Sequence, residues 1–155
     1  MQKLLAGEPG LRADPRFNLY PAWLRTQVME RPPQAAGNAA GSYKMVMDVM
    51  KAGGKIVAGT DSPHAFNLHG ELMSYVLAGM TPYEALRTAT VNSAEALALD
   101  AGSIEAGRLA DIVMVDGNPL EDIANAHKVK RVIANGRLFE LDDLVGNRPA
   151  AHSSR

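Results

Sequence analysis

The residue best placed to do chemistry is Asp61, in the run KIVAGTDSP at residues 55–63. Ile56, Val57 and Ala58 form a short apolar run after the break at Gly53 and Gly54. The run is too short and too β-branched for a helix and reads as a buried strand. Gly59 and Thr60 keep the backbone slim, Asp61 falls at the strand's C-terminal end, and Ser62-Pro63 turns the chain away. In parallel α/β folds that end of a strand is where ligands and catalytic groups gather. A carboxylate there is fixed by a rigid element and faces a cleft. Asp-Ser-Pro is also ordinary turn chemistry, so Asp61 could equally cap a turn and do nothing more. Two histidines follow in HAFNLHGEL: His64 in the loop and His69 in the next helical pattern, with Glu71 two residues on. The bland alternatives are a solvated loop histidine and a helix-surface histidine. Glu71 is expected to pair near the helix start, where the helix dipole favours a negative charge.

Elements on both sides must position these groups. Ser42 can cap a helix to about residue 51, with Met45, Val46, Val49 and Met50 on one face. Its methionines are better read as core filling than as a cofactor surface. Helix, tight turn and buried strand make half of a βαβ unit, which implies a parallel sheet. After Pro63, Asn67 can cap a helix with Leu68, Leu72 and Val76 four residues apart, and Gly79 is placed to end it. Thr81-Pro82-Tyr83-Glu84 has the form of a capping box with proline at the first helical position. Asn92-Ser93-Ala94-Glu95 resembles a second capping box.

The character changes near residue 100. DIVMVD at residues 111–116 reads as an apolar strand whose acidic ends, Asp111 and Asp116, are structural. Residues 129–134 and 137–141 read as two strands joined by Asn135-Gly136, the strongest two-residue hairpin signal. The chain therefore divides into residues 1–41, irregular with one short helix near Tyr20 and Trp23; residues 42–100, α/β; residues 101–145, β; and residues 146–155, a disordered tail.

Composition excludes several classes of function. Sixteen basic residues against seventeen acidic ones give no electrostatic case for nucleic acid or an anionic membrane. With no cysteine there is no disulfide frame, thiol nucleophile or thiolate metal site. No apolar run approaches membrane-spanning length. The expectation is a soluble protein, cytoplasmic or periplasmic, with the compartment left open.

Four stretches carry a family likeness. AGTDSP, LHGELMSYVLAGMTPYEALRTATVNSAEAL, GSIEAGRLADIVMVDGNPLEDI and VKRVIANGRL resemble, in that order, the C-terminal end of a metal-dependent amidohydrolase. The spacing of GTDSP to LHGEL, the LYPAW segment upstream and the FELDDL ending resemble the branch fused to TolB-like propeller domains. The resemblance implies the last helix–strand–helix units of a (β/α)8 TIM-like barrel followed by the C-terminal strands of a small β-sandwich. Asp61 would be the family's active-site aspartate, touching a divalent metal, zinc by expectation, as one of one or two ions, and serving as proton shuttle. His64 and His69 would contact a small-molecule substrate. The activity implied is hydrolysis of a carbon–nitrogen bond outside the peptide main chain, such as a cyclic amide, or of a dipeptide.

The departure from the family pattern has consequences. The family's other metal ligands come from earlier strands, beginning with a His-x-His pair. The histidines here are His64, His69, His127 and His152, none in that spacing and none before Asp61. The expected partner is a missing N-terminal barrel portion or another chain. The chain is expected to be inactive alone and to self-associate as a homo-oligomer, because its edges lack partners. It is then a C-terminal fragment, the product of a truncated reading frame, or a domain that has lost catalysis. The alternative function is a non-catalytic remnant or assembly module of the same fold.

Overall fold

A computed structural model describes residues 20–23, 25–26, 39–61 and 66–146. Ala22, Trp23, Arg25 and Thr26 are helical, as the proline at residue 21 suggests. The tail expected beyond residue 146 lies outside the described residues.

Helix α1 spans Ala39–Lys51. It starts three residues before the expected Ser42 cap. Helix α2, Phe66–Ala78, packs against α1 and ends at Gly79, whose φ of 118° lies in the region open to glycine. Helix α3, Pro82–Thr88, has the capping box its sequence announces. The Thr81 hydroxyl accepts from the Glu84 N–H (3.2 Å), and the Glu84 carboxylate accepts from the Thr81 N–H (2.7 Å). The Thr81 N–H first, then the Thr81 hydroxyl, which donates to the same carboxylate (2.8 Å), hold the Glu84 carboxyl below its usual range. A depressed pKa means the stabilisation is present above the ordinary carboxylate range and fades as pH falls through the folded-state value. Thr81→Ala is expected to cost about 1 kcal/mol. In a domain of this size that lowers the melting midpoint by about 3 °C. The gap between variant and parent should narrow in acid, as Glu84 protonates; a gap independent of pH would show that the carboxylate adds nothing.

Helix α4, Val91–Ala96, corrects the second capping box. Its N-cap is Thr90, with no side-chain cap bond. Glu95 instead pairs with Lys55, and the Asn92 amide donates to the Ile56 carbonyl (2.9 Å). Side chains that would cap a free helix are drawn to partners on the segment that packs against them.

That segment corrects a further expectation. Residues 54–60 form no strand ladder. A strand is stabilised by backbone partners on its neighbours, and here helices supply the partners. The Ala58 N–H donates to the Thr88 carbonyl (2.9 Å), and the Gly59 N–H donates to Glu71 Oε1 (3.1 Å).

Strands β1 (Ile112–Val115), β2 (Val129–Ala134) and β3 (Arg137–Glu140) form an antiparallel sheet in that order. The β2–β3 hairpin turns at Asn135 (φ 48°) and Gly136 (φ 75°), the paired positive values that the Asn-Gly signal predicts. The turn is tied to the start of β1: the Asn135 N–H donates to Asp111 Oδ1 (2.6 Å) and the Gly136 N–H to the Ala110 carbonyl (3.1 Å). Asp111 is thus structural, as expected. β3 stops at Glu140, and Leu141 opens a short helix, α5 (Leu141–Gly146), which packs on β2 and β3.

The core sits around α2. Leu72, Tyr75, Met80 and Ala85 are buried together with Ile123, which comes from a 3-10 turn at Ile123–His127. The turn between β1 and β2 therefore packs into the helical core. A second tie is Gly102: its φ is 84°, and a Cβ there would lie 2.8 Å from the Thr90 carbonyl oxygen. Only glycine allows the chain to pass so close to the start of α4.

Candidate functional site

Asp61 is the last described residue before α2. Its side chain is exposed and its φ is 44°, a left-handed conformation rare outside glycine, asparagine and aspartate. Backbone strain of this kind is found at turns and at functional sites. His69 lies half-buried in the first turn of α2. His64 falls outside the described residues, so its expected role has no structural counterpart here. Among the described residues no three or more histidines, aspartates or glutamates are gathered to hold a metal ion. The described residues thus do not by themselves form a metal centre.

A cavity of about 230 Å³ is lined by Met50, Ile56, Met80, Arg87, Thr88 and Asn92, among others. Neither Asp61 nor His69 belongs to its lining. Its polar groups already have partners: Asn92 is bonded to Ile56, and the Arg87 guanidinium lies 5.8 Å from the Tyr83 ring centroid.

The residue that sequence reasoning undervalued is Glu71. Expected to pair near a helix start, it is instead 7% exposed. Oε1 accepts from the Gly59 N–H (3.1 Å), two residues before Asp61, and from the Tyr75 hydroxyl (2.5 Å). Oε2 is buried with no hydrogen-bond partner among the described residues. Burial first, then the hydrogen bond to Glu71 and its charge, push the Tyr75 phenol well above its ordinary range. A raised pKa keeps the O–H donor in place at every pH below the folded-state value, and the contribution is lost only in strong base. The signal that could have shown this pair is its spacing: Glu71 and Tyr75 stand four residues apart on one helix face.

The helical layer with the segment that leads through Gly59 to Asp61 and the small antiparallel sheet define a mixed α/β protein. Residues 31–139 match the Amidohydrolase family, and the chain belongs to it. Adenine deaminase from Methanosphaera stadtmanae is 48% identical over 68 residues, 43% of this chain and 11% of that protein. Ochratoxinase from Aspergillus niger is 35% identical over 104 residues, covering 63% of this chain and 22% of the other. Among solved structures, a Xaa-Pro dipeptidase with bound methionine aligns at a TM-score of 0.59 and 30% identity, over 83% of this chain and 33% of that one. Phenylurea hydrolase B shares the fold at a TM-score of 0.56 and 24% identity, over 93% and 34%. The chain spans about a third or less of the length of each of these proteins.

Proposed function

We propose that this chain is the C-terminal portion of a metal-dependent hydrolase of carbon–nitrogen bonds outside the peptide main chain, or of dipeptides. In this reading residues 55–61 would take the place of the last barrel strand once neighbouring strands pair with them, α2 to α4 are the final barrel helices, and β1 to β3 are the C-terminal share of a small β-sandwich. The observation that carries it is Asp61, an exposed carboxylate held at the end of a clamped backbone segment inside the matched region. Its role is proton transfer. Water adds to the carbon, Asp61 takes the proton, the carbon–nitrogen bond breaks, and Asp61 returns the proton to the leaving amine. A divalent ion, zinc in this proposal, would supply Lewis acidity when bound. The described residues do not make its site alone, so its other ligands come from an N-terminal barrel portion or another chain.

The same shortage of ligands favours a second reading, a non-catalytic module of this fold. Zinc retention separates the two. The 155-residue chain alone is expected to lose zinc on dialysis against a mild chelator and to hydrolyse no amide. Joined to a partner carrying a His-x-His strand, it should retain zinc in whole-number stoichiometry and gain activity. Stoichiometric zinc on the chain alone would overturn the shared-site proposal and point to His64 and His69 as ligands. No retention with a partner would favour the non-catalytic module.

A further inference from the structure

We infer that Glu71 is a positioning residue for Asp61, acting through the Gly59 amide and braced by Tyr75; this rests on the proton-transfer reading of Asp61. Glu71 is on α2, twelve residues after Gly59 in sequence, yet its Oε1 takes the Gly59 N–H at 3.1 Å. The neighbouring contacts fix the rest of the segment. The Ala58 N–H is held by the Thr88 carbonyl, and the Ile56 carbonyl by Asn92. Three anchors thus come from α2, α3 and α4, and the Glu71 anchor lies two residues before Asp61. Beyond it the backbone enters the left-handed conformation at Asp61. A non-glycine residue in that region persists only where its surroundings over-determine it, and the Gly59 bond is a restraint two residues from it.

The choice of side chain bears on this. A buried carboxylate with one oxygen unpartnered among the described residues is costly. The cost is tolerated where the group has a geometric task that a surface residue cannot perform. Two donors converge on the other oxygen, one from the segment and one from Tyr75 on the next turn of α2. Tyr75 is itself in the buried cluster. Its hydroxyl therefore transmits the rigidity of the core to Glu71, and Glu71 transmits it to the segment that carries Asp61.

The test uses three variants and two readouts. Amide hydrogen exchange at Gly59 is measured in the complete hydrolase carrying this segment, together with kcat, KM and zinc content. Glu71→Ala should expose Gly59 to exchange and lower kcat by about tenfold to a hundredfold, as small misplacements of catalytic groups do, with KM little changed. Glu71→Gln keeps an acceptor for both donors and should restore kcat to within a few-fold of the parent. Tyr75→Phe keeps the packing and should give an intermediate loss with the same Gly59 signature. Unchanged Gly59 exchange in Glu71→Ala would overturn the anchor. A fall in kcat that Glu71→Gln does not rescue would overturn positioning through hydrogen bonding. If Asp61→Asn retained activity while Gly59 exchange still responded to Glu71, the anchor would stand and the proton-transfer reading would fall.

Discussion

In the complete hydrolase that carries this segment, Asp61→Asn is expected to lower kcat by about a hundred- to ten-thousand-fold, the usual cost of losing a general base. The structure makes this substitution an informative one. Asp61 sits at a φ of 44°, where asparagine is tolerated as well as aspartate but most other residues are not. The exchange therefore leaves the turn intact and removes only the charge and the proton acceptor. Asp61→Ala would mix the loss of chemistry with backbone strain. Melting temperature should be nearly unchanged, because the side chain is exposed and the segment is held by Thr88, Asn92 and Glu71 rather than by Asp61 itself. A near-normal kcat would rule out proton transfer and leave Asp61 as a turn residue. A fall in both kcat and melting temperature would assign it to folding. Zinc content measured on the same samples separates loss of a ligand from loss of a base.

What was legible in the sequence depended on the range of the interaction. The Thr81–Glu84 box and the Asn135-Gly136 hairpin are decided within four residues, and both formed as expected. Asn92-Ser93-Ala94-Glu95 has the same local form, yet Asn92 and Glu95 serve residues 36 and 40 positions away. An unladdered carbonyl at Ile56 and a lysine at Lys55 compete for those side chains, and nothing local signals the competition. Glu71 was undervalued for the same reason: its burial follows from the packing of α2 against the extended segment. The strand expected at residues 56–58 needs neighbours that the described residues do not supply. Helix α5 was hidden because FELDDL alternates enough to continue a strand, although Asp142 and Asp143 favour a helix start. Asp61 itself stood out because a lone carboxylate after an apolar run and a glycine is a local pattern.

The second large effect concerns the chain on its own. Directly paired residues share a face of the sheet, so Ile112, Ile133 and Leu138 line one side and Val113, Val132 and Phe139 the other. Each face carries three apolar side chains beside charged ones such as Arg131 and Glu140, and none of these six is buried: Val113 is 57% and Leu138 58% exposed. A sheet with one solvated face confines its apolar residues to the other, whereas here exposed apolar residues stand on both sides. Elsewhere Leu77, Leu97 and Ile104 are more than two-thirds exposed. Burying one such side chain fully stabilises by about 1.5–3 kcal/mol, so several together can drive association at micromolar concentration. The 155-residue chain is expected to scatter light as a species of at least twice its 16.6 kDa mass, broadening as concentration rises. Val113→Lys with Leu138→Lys places a charge on each face without touching the hairpin turn. That pair should shift the distribution toward monomer, since inward or edge charges are how natural sheets resist pairing. A sharp monomer peak and a cooperative melt for the unsubstituted chain would defeat the expectation and show that these faces need no partner. Association unchanged by the double substitution would move the contact to the helical surface around Leu77 and Leu97.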